Sequence, residues 1–297
     1  MSIREVRTAA TLLDAINLTT DGFLPLAGGT DLVPRMKHDL ADARVVVIRS
    51  LPELRGVRAT GEALVVGACT SIAELSRSSL SPPWLRQACM QVASPRVREL
   101  ATIGGALLQE RRCRYFNRPA HWRMAAGACL RTGGDRCLAG GDRCYAQQRS
   151  LLSTVMLAVN PTVRIARCAG EGDTPLEALY AGEDEAWCIG GIVRSITFPA
   201  AGDGAVAVEW IRRRASIDYH DLVVAACRTD NSNEVCIAIG AALPYPRRFT
   251  VPLPASPDAL LQVAAAIPSV QPGRLGPSYL RHAATVLARR AIARVAS

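Results

Sequence analysis

The chain has 297 residues, 49% hydrophobic and 21% charged, enough for about two domains with real cores. Its net charge of +9 raises an acidic partner or nucleic acid, while no apolar run approaches the roughly 20 residues of a membrane span. The opening MSIREVRTAATLLDAINL places Glu5 and Asp14 where a secretion signal is uncharged, so a cytoplasmic protein is expected.

Residues 21–50 read as strand, glycine turn, helix and strand. FLPLA leads into Gly28-Gly29, and a helix follows from about Asp31 with Thr30 as its N-cap and Pro34 in its first turn. Val45-Val46-Val47-Ile48 then closes a small βαβ unit. GEALVVG at 61–67 reads as a strand, and Ser71 with Glu74 as the capping box of the next helix. Helical stretches at about 83–92 and 95–101 lead to Thr102-Ile103-Gly104-Gly105. Beyond 110–149, Thr162–Arg167 reads as a strand and Asp173-Thr174-Pro175-Leu176 as the start of a short helix. From about 190 a separate α+β domain is expected, with strands at 192–198, 205–212 and 234–242 and a helix at 218–227. A surface loop at Pro244–Pro257 and helices at about 256–267 and 277–295 complete it.

Two groups of residues carry chemistry. Ala27, Gly28, Gly29, Thr30, Asp31 and Leu32 lie between a strand and a helix, where exposed N–H groups suit a phosphate, although an ordinary turn has the same pattern. There is neither a Walker lysine nor a dinucleotide fingerprint. Thr102, Ile103, Gly104 and Gly105 form a second such turn about 75 residues later, and together the two can clamp a diphosphate.

The segment 110–149 holds Cys113, Cys129, Cys137 and Cys144, with nine arginines against three acidic residues and no apolar periodicity. Burial alone does not fix such a stretch. Four thiolates can hold a tetrahedral metal or an iron–sulfur cube, and the close cysteine pairs typical of structural zinc are missing. Spacing and charge leave three readings open: a cluster whose negative charge the arginines offset, a zinc site, or scattered thiols. Cys69, Cys89, Cys168, Cys188, Cys227 and Cys236 read as the last kind, small hydrophobes in apolar runs. His121 beside Trp122 reads as a packing or surface residue, and Arg212-Arg213-Arg214 as a solvated strand end. No nucleophile constellation or HExxH motif occurs, so no catalytic residue is assigned.

AGGTDLVPRMK at 27–37, VVGACTSIAEL at 65–75, ATIGGAL at 101–107, RRRASIDYHDLVVA at 212–225 and IGAALPYPRR at 239–248 resemble the FAD-binding medium subunit of the xanthine dehydrogenase family of molybdenum hydroxylases. The resemblance covers nearly the whole chain. It implies an α+β architecture: a two-part FAD-binding domain of the vanillyl-alcohol-oxidase type at 1–189, with parts at about 1–50 and 51–189. The remainder, 190–297, would resemble the C-terminal domain of the CO dehydrogenase flavoprotein, with a three-stranded antiparallel sheet. FAD would lie with its diphosphate against Gly28, Gly29, Thr30 and Asp31 and against Thr102, Ile103, Gly104 and Gly105. CRYF at 113–116 and the three later cysteines resemble the β subunit of 4-hydroxybenzoyl-CoA reductase, whose inserted loop carries a [4Fe-4S] cluster. That resemblance implies Cys113, Cys129, Cys137 and Cys144 as ligands. It also implies a molybdopterin-binding large subunit, a [2Fe-2S] small subunit and a ferredoxin-like external partner, this chain relaying electrons while the substrate binds elsewhere. The family pattern departs at Ala106, where asparagine is usual, and at Ser150-Leu151, where a Ser-Asp pair is usual. The alternative is a zinc-stabilised, arginine-rich nucleic-acid-binding module, which leaves the glycine turns unexplained and lacks the aromatic interleaving of a base-stacking surface.

Overall fold

A computed structural model of the chain describes residues 3–36, 43–181, 190–199, 206–228 and 233–296. Two compact units emerge: Met1–Gln109 with Asn160–Ala200, and Glu110–Val159 with Ala201–Ser297. Lys37, Cys188 and the boundary expected at 189 lie outside the described residues.

The first unit opens with β1 (Ile3–Thr8), α1 (Leu12–Thr20), β2 (Leu24–Leu26), α2 (Leu32–Met36) and β3 (Ala43–Val47). The strands form a parallel sheet ordered β1-β3-β2, so the expected βαβ unit is present with one strand and one helix added before it. Thr11 caps α1 by accepting from the Asp14 amide at 3.1 Å, and the helix buries Ala15, Ile16 and Leu18 in a core with Phe23 and Val46. α2 begins at Leu32, and among the described residues the Thr30 hydroxyl makes no hydrogen bond, so the expected cap does not form.

β4 (Val57–Thr60), β5 (Ala63–Gly67), α3 (Ile72–Arg77), α4 (Pro83–Met90), α5 (Pro95–Leu100) and α6 (Ile103–Leu107) follow. The capping box of α3 forms as expected: the Glu74 amide donates to Ser71 Oγ at 3.0 Å and the Ser71 amide to Glu74 Oε2 at 2.8 Å. The chain then contributes α7 (Ala120–Ala126) and α8 (Leu151–Val159) to the second unit, where Leu151 is buried. It returns to the first unit with β6 (Thr162–Arg167), β7 (Gly170–Pro175), α9 (Leu176–Ala181) and β8 (Ile192–Phe198), completing an antiparallel sheet ordered β4-β5-β8-β6-β7. Pro175 therefore ends a strand, with α9 starting one residue later. Pairing with β6 overrides the local helix signal, and Arg164 clasps Asp173 across the hairpin at 2.8 Å. β8 lies between β5 and β6, so it belongs to this sheet and not to the separate domain expected from 190.

The second unit is built on β9 (Val206–Ile211), β10 (Leu222–Arg228), β11 (Glu234–Gly240), β12 (Arg247–Pro252), α10 (Pro257–Ala265) and α11 (Pro277–Ala296). Its sheet has four antiparallel strands, β12-β11-β10-β9, where three were expected. The helix expected at 218–227 is β10 instead. Leu222–Cys227 is buried throughout because both faces of the strand are covered, which removes the alternation that identifies a half-exposed strand. β12 occupies part of the expected loop 244–257 as an edge strand, with Pro252 at its end, where a missing N–H is tolerated. Leu222, Val224, Ile237 and Ile239 face a core with Val263, Leu287 and Ile292 of α10 and α11. The other face meets α8, and a Cβ on Gly240 would lie 2.0 Å from Thr154 Oγ1.

Candidate cofactor sites

The first glycine turn joins β2 to α2. Ala27 packs its methyl on the core below, and Gly28 is pressed against the end of α5: an added Cβ would lie 1.9 Å from the Leu100 carbonyl oxygen. Gly29 has φ +72°, a left-handed conformation that disfavours side chains, and its carbonyl accepts from Val33 at 3.0 Å to start α2. Among the described residues the backbone N–H groups of Gly28, Gly29, Thr30 and Leu32 have no hydrogen-bond partner. A left-handed residue within a run of open amides is the geometry of an anion-binding concavity.

The second turn uses its donors internally. Ile103 N–H bonds the Thr70 carbonyl at 3.1 Å, Gly104 N–H the Ala68 carbonyl at 2.9 Å, and Gly105 N–H the Thr102 hydroxyl at 3.2 Å. Thr102, Ile103 and Gly104 are buried, and only Gly105 is exposed. Gly104 is small because Ala68 leaves no room: an added Cβ would meet the Ala68 methyl and carbonyl oxygen, both at 2.9 Å. The contact of Gly28 with Leu100 brings the two turns side by side. Their shares differ, the first holding open donors and the second bracing the chain around them.

Cys113, Cys129, Cys137 and Cys144 line one pocket, together with Tyr115, Phe116 and Arg131. Turns rather than burial shape its walls. The Cys113 amide donates to Asn117 Oδ1 at 2.7 Å and the Tyr115 amide to Cys113 Sγ at 3.4 Å. The Cys129 amide donates to Thr132 Oγ1 at 2.8 Å, while Cys137 N–H bonds the Gly141 carbonyl at 3.1 Å. Burial pushes the Cys113 thiol up; Cys137 and Cys144 reinforce that, while the Phe116 and Tyr115 amides oppose it. Among the described residues no group of three or more His, Cys, Asp or Glu side chains is gathered closely enough to hold a single metal ion.

Cys69, Cys89, Cys227 and Cys236 are buried as expected, and burial pushes the Cys69 and Cys89 thiols up to about 12. Cys168 is exposed, contrary to expectation, because it sits in the turn between β6 and β7. His121 is exposed too.

Five arginines of the cysteine-rich segment, Arg114, Arg118, Arg123, Arg131 and Arg143, lie over its own rings. Arg131 lies 4.0 Å from the centre of Phe116 and also pairs with buried Glu110. Arg118 covers Trp122 at 5.4 Å, Arg114 covers Tyr115 at 4.9 Å, and Arg143 covers Tyr145 at 5.3 Å. Such rings do not form the open aromatic row that stacks bases, so the nucleic-acid alternative gains nothing. Sequence reasoning missed the hub that anchors the end of this segment. Arg149 bonds Asp221 Oδ1 at 2.8 Å and the His220 carbonyl at 3.1 Å, and Gln147 bonds Gln271 and the Ala242 carbonyl. These partners are far apart in the chain, and no local pattern marks them.

Residues 2–201 match the family described as FAD binding domain in molybdopterin dehydrogenase. The chain belongs to this family. It is 39% identical over 104 residues to the xanthine dehydrogenase FAD-binding subunit of Escherichia coli O157:H7, covering 33% of this chain and 36% of that protein. With the carbon monoxide dehydrogenase medium chain of Hydrogenophaga pseudoflava it shares 40% over 84 residues, 27% and 29% of the two chains. These matches span about a third of the relatives' length. A longer match, 26% over 247 residues, covers 74% of this chain and 75% of the aldehyde oxidoreductase FAD-binding subunit PaoB of Escherichia coli K12. The crystal structure of the Cu,Mo-CO dehydrogenase has the same fold, with a TM-score of 0.75 at 22% identity over 99% of both chains. The family match covers residues 2–201, and the likeness to the mixed α/β fold of the CO dehydrogenase chain extends over 99% of this chain. No helix among the described residues is long and apolar enough to cross a membrane.

Proposed function

We propose that this chain is the electron-transferring flavoprotein subunit of a molybdenum-dependent oxidoreductase, and that it carries a [4Fe-4S] cluster as well as FAD. One observation carries the second half: Cys113, Cys129, Cys137 and Cys144 come together on a single pocket although no close pair links them in sequence. Four thiols on one pocket provide the ligand number and type of an iron–sulfur cube, one thiolate to each iron. The arginines around that pocket offset the negative charge that a thiolate-held cluster brings.

For FAD, the open amides of Gly28, Gly29, Thr30 and Leu32 fit a diphosphate, and Gly29 holds the backbone in the shape that presents them. Asp31 and Ala27 complete this turn; Thr102, Ile103 and Gly104 support it, and Gly105 faces outward beside it. The flavin supplies the electron chemistry, and the chain's part is to position it. The organic substrate would react on another subunit of the complex.

The complex would add a molybdopterin-binding large subunit and a [2Fe-2S] small subunit, with a ferredoxin-like protein as external partner, all in the cytoplasm. The CRYF motif and the three later cysteines favour reductive dehydroxylation of 4-hydroxybenzoyl-CoA or a related aromatic thioester.

Anaerobically purified complex should contain flavin and about four iron atoms per chain. Alanine at Cys113, Cys129, Cys137 or Cys144 should remove or damage the iron centre, whereas Cys168→Ala should keep it. Stoichiometric zinc without iron would overturn the cluster, and complex assembled without flavin would overturn the FAD assignment. A chemical reductant should reduce both centres in the isolated chain, with thioester turnover appearing only when the other subunits are added.

A further inference from the structure

The second unit holds a pair of thiols that the cofactor sites leave unused. Cys227 on β10 and Cys236 on β11 are register partners. Directly opposed residues of antiparallel strands have Cα atoms about 4.5–5.5 Å apart, within the roughly 4.4–6.8 Å that a disulfide spans. Their ladder neighbours Ala226 and Ile237 enter the core with α10 and α11, so alternation places both cysteines together on the opposite face. They sit at the end of that face, flanked by exposed Thr250 on β12 and half-buried Val206 on β9. Neither is joined in a disulfide, and Arg248 on β12 donates its Nη2 to Cys236 Sγ. A thiol that only fills core space has no use for a guanidinium on its sulfur or for a second thiol directly across the ladder.

We propose that Cys227 and Cys236 form a reversible redox pair, with Cys236 as the attacking sulfur and a peroxide as the oxidant. The deprotonated Cys236 sulfur attacks one peroxide oxygen and the O–O bond breaks, leaving a sulfenic acid and, from hydrogen peroxide, hydroxide. The Cys227 sulfur then attacks Cys236: the S–S bond forms, the S–O bond breaks, and the hydroxyl leaves as water with the Cys227 proton. Two thiols lose two electrons, and one peroxide becomes two waters. Arg248 holds the Cys236 sulfur in place and meets the charge that develops during both displacements. Added dithiol reverses the closure by exchange.

The full chain treated with hydrogen peroxide, blocked with an alkylating reagent and digested without reductant tests this directly. Trypsin cuts at Arg228 and separates the two cysteines, so closure appears as two joined peptides that dithiothreitol releases. The wild-type chain should give that link. Cys236→Ser should leave Cys227 alkylated, and Cys227→Ser should leave a sulfenic acid on Cys236 that dimedone traps. Arg248→Met should slow the oxidation of Cys236 by about tenfold or more, the loss expected for a charged hydrogen bond. The wild-type measurement does not depend on any variant folding. If both thiols remain alkylated at a peroxide dose that fully oxidises exposed Cys168, or if Cys236 links to a different cysteine, the proposal fails.

Discussion

Gly28-Gly29 and Gly104-Gly105 look alike in the sequence, each a glycine pair at the start of a short helix, yet they work in opposite directions. Around the first pair the amides of Gly28, Gly29, Thr30 and Leu32 are open, and around the second those of Ile103, Gly104 and Gly105 are closed by the chain itself. A glycine pair announces that something comes close without saying what. At Gly28 and Gly104 the close neighbour is backbone, at Gly29 the cause is a left-handed φ, and at Gly105 the outward face is free for a ligand.

The sharpest way to break this contrast is Gly28→Ala. The new methyl would lie 1.9 Å from the Leu100 carbonyl oxygen and 2.7 Å from its carbon, and backbone cannot rotate aside as a side chain can. The variant should lose about 3 kcal/mol or more of stability, read as a lower urea midpoint. An unchanged midpoint would show that the two turns are not wedged together. Gly104→Ala comes next, because its nearest contacts, the Ala68 methyl and carbonyl oxygen, stand farther off at 2.9 Å. A loss of about 1–3 kcal/mol is expected, with flavin content per folded molecule unchanged. Flavin loss from a stable Gly104→Ala protein would mean that the second turn holds the cofactor directly.

The sequence made the position of the first turn legible, because a strand, a glycine pair and a helix follow one another within about ten residues. The capping box at Ser71 and Glu74 was equally local. What stayed hidden depends on distant partners. β10 reads as a helix because burial on both faces erases its alternation, and β12 hides among prolines as an edge strand. The closed amides of Ile103 and Gly104 were invisible for the same reason: their acceptors, Thr70 and Ala68, lie on a segment over 30 residues earlier. The four cysteines suggested a shared site by composition, but only the folded chain shows them on one pocket.

Gly29→Ala sharpens the contrast from the ligand side. An alanine held at φ +72° costs about 1–2 kcal/mol, less than the clash expected at Gly28. Its Cβ would also press on Val33 Cγ2 at 3.2 Å and Leu26 Cδ1 at 3.3 Å, both side-chain atoms able to shift slightly. The protein should therefore fold while the amides of the cradle are turned from their present directions. Flavin affinity, measured by titration of the deflavinated protein, should fall at least about tenfold, a loss of roughly 1.4 kcal/mol. Unchanged affinity would detach the open amides from the cofactor.

The smallest effect is expected at Gly105, the one outward residue of the second turn. Alanine there gains up to about 1 kcal/mol of helix propensity in α6, while its Cβ would approach Thr102 Oγ1 at 3.0 Å, the same hydroxyl that caps the helix. The two effects oppose each other, so the urea midpoint should scarcely move. If the diphosphate lies in the cradle of the first turn and only passes the second, the added methyl should weaken flavin binding about threefold, or roughly 0.6 kcal/mol. A loss as large as that of Gly29→Ala would make the two turns equal partners in holding the cofactor and erase the asymmetry; no loss would place the cofactor wholly on the first turn.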